Sequence, residues 1–278
     1  MDEPELERQE FQYHLCLQTF DNKLNFAPVE DAHRVLDAGC GPGFWAIDFG
    51  ESPCPRVRSK AWAVLLTPSR LDDNTKRRNI HTPSMPPNVI FEIDDLEEPW
   101  TFSFKFDYVH ASMMTGAFRD WPRFMGQAYD FLNPGGYLEL QDIDFPVRCD
   151  DGSLPADCAL RRWSDLLMEA GRRSGFALDT CGQAADMMRQ AGFVDVVQLP
   201  YTWPMNRWPR DQRLKQIGRW NEENFVEGCE AMSMALLTRH LGWTREEVVD
   251  FSARVRADIA DSRKHAYFPL YVTYGRKP

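Results

Sequence analysis

Asp37-Ala38-Gly39-Cys40-Gly41-Pro42-Gly43 sets one carboxylate and three glycines together, directly after the short apolar run Val35-Leu36. Glycines at i, i+2 and i+4 keep Cβ atoms out of a tight turn, so a ligand can lie against the backbone. A dinucleotide fingerprint needs its third glycine at i+5, where Phe44 stands. A Walker phosphate loop is excluded, because no Gly-Lys-Ser/Thr follows. The Asp37 carboxylate would repel a pyrophosphate and attract an ammonium group. The spacing therefore selects a zwitterionic, cationic ligand. No Ser-His-Asp order is legible and no His/Cys/Asp cluster has ligand spacing, so no metal is expected.

These residues need elements to hold them. The order apolar run, glycine turn, helical 44–49 reads as strand, turn, helix. Further strands are expected at 61–66, 89–93, 106–110 and 137–141. A helix over 120–132 is closed by Asn133-Pro134-Gly135-Gly136, a strong stop and turn signal. Strands alternating with helices imply an α/β fold, a doubly wound and mostly parallel Rossmann-like sheet. Residues 3–20 read as a polar helix. Helices are expected at 155–174 and 183–191, with Gly192 just past the second. A strand over 193–201, a helical stretch over 210–262 and a last strand over 265–275 complete the chain. The expected organisation is an N-terminal helical segment (1–30), a main domain (31–202 and 263–278), and a helical lid (203–262) between the last two strands. That lid would cover the carboxyl edge of the sheet, where open α/β sheets bind ligands.

Composition narrows the partners. The chain has 278 residues, 43% hydrophobic and 27% charged, and a net charge of 32 − 42 = −10. An acidic surface does not attract nucleic acid or anionic membrane as a whole, so neither is an expected partner. The basic runs Arg56-Val57-Arg58-Ser59-Lys60 and Lys76-Arg77-Arg78 read as solvated loops. Seven dispersed cysteines without a Cys-x-x-Cys pair argue for free thiols rather than a disulfide framework. The acidic start Met1-Asp2-Glu3 has no apolar leader, and no apolar run reaches the roughly 20 residues of a membrane span. A cytoplasmic protein is expected, nuclear if it acts as a regulator.

The glycine loop resembles motif I of class I S-adenosylmethionine-dependent methyltransferases. The likeness continues through residues 43–49, 91–100, Arg119-Asp120-Trp121-Pro122, 133–141, Asp150-Asp151-Gly152, Leu241-Gly242-Trp243-Thr244 and 274–278. In this order and spacing the chain resembles the fungal LaeA-like methyltransferases of secondary metabolism. The resemblance implies a seven-stranded sheet with its last strand antiparallel, and S-adenosyl-L-methionine as cofactor. It implies that Asp37, Gly39, Gly41 and Gly43 form the floor under the cofactor's amino-acid part. Asp94, with Asp95 beside it, would accept from the adenine amino group, with Leu96 near the ring. His110 and Ala111, at the end of the fourth strand, would face the methionine moiety, and that place makes His110 the first candidate for a general base, with His240 and His265 behind it. Two plainer readings stay open: a solvated acidic turn for Asp94 and Asp95, and a satisfied strand-end histidine for His110.

The second strand departs from the family. Its acidic residue, which grips the ribose hydroxyls in relatives, falls at Leu65, and Asp72 or Asp73 lies a few residues on. The stretch 51–84 is long, basic and proline-punctuated, and reads as an insertion or a misplaced splice. Trp203, Trp208, Trp220, Trp243, Tyr201 and Phe225 offer either an aromatic wall for a planar or prenylated molecule or an ordinary core between lid helices. Trp121 and Trp163 read as packing residues. Three functions remain: methyl transfer to a small-molecule acceptor in secondary metabolism, regulation of metabolite gene clusters through protein partners, or a degenerate fold without transfer activity.

Overall fold

The computed structural model describes residues 3–29, 32–51, 60–66 and 86–278, with backbone alone at 3–4 and 60–66. Asp72, Asp73, Cys54 and residues 56–59 and 76–78 lie outside them. The strands are β1 (Arg34–Ala38), β2 (Lys60–Leu66), β3 (Val89–Asp94), β4 (Phe106–Ser112), β5 (Leu132–Ile143), β6 (Val194–Pro204) and β7 (Tyr267–Arg276). The helices are α1 (Glu3–Thr19), α2 (Phe44–Glu51), α3 (Trp121–Phe131), α4 (Ala159–Ser174), α5 (Ala184–Gln190), α6 (Gln212–Leu241) and α7 (Arg245–Ala260). The described strands form one sheet in the order β3-β2-β1-β4-β5-β7-β6. β1 to β5 run parallel, and β7 is antiparallel to both β5 and β6. The order reverses between β1 and β4, which opens a crevice at their carboxyl ends.

Alternation along the strands sorts side chains between two layers. Leu36, Ala38, Val109, Ala111, Leu138 and Leu140 pack on the α3 side. Val35 and Tyr108 pack with Trp45 and Phe49 of α2 on the other. On that second face three polar residues stand in register across three strands: Asp37 beside His110, and His110 beside Glu139. A third core lies under α4, α6 and α7, around Trp163, Phe225, Phe251 and Phe268.

Local signals account for most boundaries. Asp120 caps α3 by accepting from Arg123 N, with Pro122 in the first turn. α3 ends at Phe131, as the Asn133-Pro134-Gly135-Gly136 signal requires. Strand pairing restarts at once: Leu132 pairs with Phe106 and Tyr137 with Tyr108, so 133–136 bulges out of the ladder. The helical stretch 210–262 is two helices, broken at Gly242 in a left-handed conformation and restarted by the Thr244/Glu247 capping box. Two expectations change. β4 continues to Ser112, so His110 is an interior strand residue rather than a strand end. α1 is not a free polar helix: Leu15, Cys16 and Thr19 are buried, Phe11 stacks on Trp220 of α6, and Trp203 Nε1 donates to Thr19 Oγ1 at 2.8 Å.

The segment after α1 is tied down by a buried carboxylate. Glu139, fully buried, accepts from the backbone N–H groups of Phe26 (2.9 Å) and Ala27 (2.7 Å) and from Gln141 Nε2 (2.7 Å). Leu24 O accepts from Trp45 Nε1 at 2.8 Å. Glu139→Ala should therefore lower stability by about 3 kcal/mol, since charged hydrogen bonds contribute roughly 1.5–3 kcal/mol each and the two N–H groups would lose their acceptor. A melting scan should show a fall of roughly 6–12 °C; a fall under about 2 °C would refute the anchor.

Candidate active site

Two cavities meet at the carboxyl edge of the sheet. The first, about 360 Å³, has Asp37, Gly39, Gly41 and His110 on its sheet side, and Arg8, Gln12 and Tyr13 of α1 across from them. The second, about 400 Å³, lies under α4 and α6, with Asp142, Leu167, Leu178, Trp203 and Phe225 in its wall. Arg8, Gln12 and Met113 line both.

The glycine turn is shaped as its spacing predicts. Gly39, Gly41 and Gly43 all have positive φ. A Cβ on Gly41 would sit 2.9 Å from Gln9 Oε1, and one on Gly43 would sit 2.2 Å from the Phe91 ring. Gly41 therefore keeps the cavity floor low, whereas Gly43 lets the turn pack on β3. Gly43 N donates to Cys40 O at 2.9 Å, and α2 starts at Phe44.

Asp37 and His110 form the polar centre of the first cavity. His110 Nδ1 lies 2.9 Å from Asp37 Oδ1, and a carboxylate only accepts, so Nδ1 carries the proton. The imidazole stacks on Trp45, with centroids 3.7 Å apart and planes 8° apart. Both side chains are buried. Asp37 Oδ2 and His110 Nε2 each lack a protein partner. In the neutral imidazole with Nδ1 protonated, Nε2 is an acceptor beside Asp37 Oδ2 at the cavity wall. Buried acceptors of this kind cost free energy until a donor reaches them. A ligand ammonium group supplies such donors, so the residues present fit the amino-acid end of S-adenosylmethionine.

The other expected positions lie off this wall. Asp94 ends β3, and its Oδ1 accepts from Asp95 N at 2.9 Å; Asp95 Oδ1 accepts from Glu97 N at 3.0 Å. The pair thus builds a half-buried turn at the same carboxyl edge. Leu96 and Ala111 are buried in the α3-side core. Leu65 pairs with Ile93 in the β2–β3 backbone register. His240 lies in the last turn of α6. His265 pairs with Asp151 and stacks on Trp208, away from both cavities. Trp203 and Phe225 belong to the second cavity, while Trp220 and Trp243 pack against Phe11 and Phe251. Trp121 and Trp163 are buried packing residues.

Sequence reasoning missed the α1 residues and Asp142. Nothing in a polar helix marks Arg8 or Gln12 as site residues. Asp142 carried a legible signal, a carboxylate at the carboxyl end of a core strand. Its Oδ2 accepts from Met114 N at 2.6 Å, and its Oδ1 accepts from Thr115 Oγ1 at 2.7 Å and Ile143 N at 2.8 Å. Met113 itself has φ +53, an unusual conformation for a long side chain, and donates to Gln141 O at 3.0 Å. Burial outweighs the neutral donors around Asp142 and raises its pKa to about 7.

Comparison with known proteins agrees with this geometry. Residues 9–199 match a methyltransferase-domain family. The chain is 35% identical to the probable methyltransferase tdiE of Emericella nidulans, over 99% of this chain and 82% of that protein. It is 32% identical to the secondary metabolism regulator LAE1 of Cochliobolus heterostrophus, over 100% of this chain and 88% of that protein. Among solved structures, it resembles phosphoethanolamine N-methyltransferase 2 of Haemonchus contortus, in complex with phosphomonomethylethanolamine and S-adenosylhomocysteine. There the TM-score is 0.54 at 15% identity, over 96% of this chain and about half (53%) of that enzyme. The fold and the site define an S-adenosylmethionine-dependent methyltransferase. The chain belongs to the methyltransferase family, among its fungal LaeA-like members. Among the described residues, no helix is long and apolar enough to cross a membrane.

The raised pKa of Asp142 has a thermodynamic consequence. The folded state keeps a proton that the unfolded chain releases near pH 4. Stability from this group is full below about pH 4 and is lost as pH rises through about 7. Melting temperatures of the wild type and Asp142→Asn should therefore converge, or cross in favour of the variant, between pH 5 and pH 8. A difference independent of pH would refute the assignment.

Proposed function

We propose that this methyltransferase modifies a small molecule of fungal secondary metabolism, with the cofactor in the first cavity and the acceptor in the second. The observation that carries the reading is the pair of unpartnered acceptors, Asp37 Oδ2 and His110 Nε2, at the wall of a cavity that shares Arg8, Gln12 and Met113 with an apolar neighbour. When bound, S-adenosylmethionine supplies an electrophilic methyl group on a sulfonium.

The protein's own contribution is positioning and exclusion of water. Asp37 and His110 hold the ammonium end, and Gly39 and Gly41 let it approach the backbone. Asp94 and Asp95, at the same sheet edge, serve the adenine end, with Leu96 packed behind the turn, Ala111 behind His110 and Gly43 fixing the loop. Asp37 holds Nδ1 and Trp45 stacks on the ring, so His110 offers the cavity Nε2 alone, which we assign to the ammonium group rather than to a proton of the methyl acceptor. α1 closes the cavity: Tyr13 Oη donates to Asp48 at 2.6 Å, and burial with that carboxylate keeps the phenol protonated. Within 203–262, α6 is the lid over the acceptor, with Phe225, Met232 and Leu236 in the cavity wall, and α7 packs on α6 and α4.

The name of LAE1 favours a second reading, a regulator acting through protein partners. Fusion of residues 70–84 to a reporter separates the two: nuclear import through Lys76-Arg77-Arg78 supports the regulator, and cytoplasmic residence supports the pathway enzyme.

A thermal melt tests cofactor binding. S-adenosylmethionine at about 100 times its dissociation constant adds about 2.7 kcal/mol, a rise of roughly 5–10 °C. Asp37→Asn keeps the size of the side chain but offers an amide to the ammonium, and should weaken binding roughly 10–100-fold. Asp37→Ala should abolish it. Unchanged affinity in both variants, or no shift in the wild type, would sink the reading.

A further inference from the structure

We propose that Thr115 and Asp142 form a proton-accepting pair for the methyl acceptor, and that the acceptor is a planar aromatic molecule bearing an ionisable hydroxyl. The inference rests on reading the second cavity as the acceptor site. Its walls carry Phe145, Phe176, Trp203 and Phe225, with Leu178 and Leu236 between them. Trp203 Nε1 is already satisfied by Thr19, so the ring offers the cavity an apolar face. Thr115 and Asp142 are polar groups in that same wall.

The hydrogen-bond geometry is that of a relay. Thr115 Oγ1 lies 2.7 Å from Asp142 Oδ1 and 2.8 Å from Ile143 O. A threonine hydroxyl has one proton and can satisfy one acceptor at a time. A proton on the Asp142 carboxyl resolves both contacts, because the carboxyl then donates to Thr115 while Thr115 donates to the carbonyl. With Asp142 ionised, Thr115 instead donates to the carboxylate, and its oxygen lone pairs are free to accept. In the transfer, the acceptor O–H bond breaks and its proton goes to Thr115 Oγ1, while the proton of Thr115 passes to Asp142 Oδ1. The bonding pair stays on the acceptor oxygen, which becomes the nucleophile. The protein gains one proton, so its negative charge falls by one unit, and the proton transfer needs no other reactant.

The surroundings leave this titration to Asp142. Cys16 on α1 and Cys181 in the turn before α5 sense its charge, and burial holds both thiols protonated. Asp144, two residues on, is committed to Arg148 (2.8 Å) and Gly182 N (3.0 Å). Arg8, across the cavity, is paired with Glu5 at 2.7 Å. The groups bonded to the carboxylate are neutral donors, and its pKa of about 7 lets it take a proton and release it near neutral pH.

The test uses 7-hydroxycoumarin and 7-methoxycoumarin, a phenol and its methyl ether, titrated into the full chain with S-adenosylhomocysteine present. Only the phenol can donate to the relay. The wild type should prefer it about tenfold at about pH 7.5, and less than about twofold at about pH 5.5, where Asp142 holds its own proton. Thr115→Val should lose that pH-dependent preference and Thr115→Ser should keep it. Asp142→Asn should lose it too; because Asp142 also anchors Met114 and Ile143, its fold is checked by melting, and Thr115→Val carries the test if it unfolds. A preference that is flat with pH in the wild type, or that survives in Thr115→Val, overturns the relay while leaving the cavity as an acceptor site. No binding of either coumarin overturns the aromatic acceptor as well, and the cofactor melt then shows whether the first cavity still stands.

Discussion

Two buried carboxylates flank one imidazole along a single row of the sheet, and the rest of the site depends on how they are satisfied. Asp37, His110 and Glu139 occupy neighbouring strands at the same level and face α2. A buried carboxylate is tolerated only when it is paired or fully hydrogen-bonded. Glu139 meets that condition with backbone N–H groups from the segment after α1, so the cost of burying it fixes where that segment lies. Asp37 meets it only in half. One oxygen has His110, and the other waits at the cavity wall. The row thus anchors structure at one end and leaves binding capacity at the other.

Through Glu139, the sheet also places α1. The helix ends where the anchored segment begins, so its residues cover the first cavity and reach the second. Arg8 sits at the junction, donating to Gln12 Oε1 at 2.7 Å and approaching Asn224 Oδ1 of α6 at 3.5 Å. Met113 marks the same junction from below, in a left-handed conformation held by Gln141 O and by the anchoring of Met114 on Asp142. One helix, one strained loop and one lid helix therefore meet where the two cavities join, and the cavities share walls rather than merely a fold.

The fold was largely legible in the sequence, because its signals are local. The glycine spacing, the alternating strands, the Asn133-Pro134-Gly135-Gly136 stop and Gly192 each act within a few residues. Asp37 was legible too, since a carboxylate before a glycine turn has few other uses. What the sequence hid is long-range. The helical pattern of 3–19 gives no hint that α1 crosses the cavities, because that depends on Glu139, over a hundred residues away. His110 looked like a strand-end residue, and only the register with Asp37 and the stack on Trp45 show an interior position with Nδ1 taken and Nε2 left without a partner. Trp203 and Phe225 could not be told from Trp220 and Trp243 by composition, because wall and core are made of the same residues.

Asp37 and Asp142 stand at the carboxyl ends of two strands of one sheet, and their partners divide the work between them. Asp37 has an imidazole that can share its charge, and a free oxygen that a cationic ligand can meet. Asp142 has Met114 N, Ile143 N and the Thr115 hydroxyl, all neutral, and both its oxygens are engaged. Neutral donors cannot offset burial as a cation would, so the Asp142 proton is held to about neutral pH. A carboxylate with one oxygen free suits the binding of a positively charged ligand; a carboxyl that changes state near neutrality suits taking a proton from one that must lose it. The first lies under the glycine turn and the second under the aromatic lid, which is the order in which an alkylating cofactor and a hydroxylated acceptor would have to be stacked.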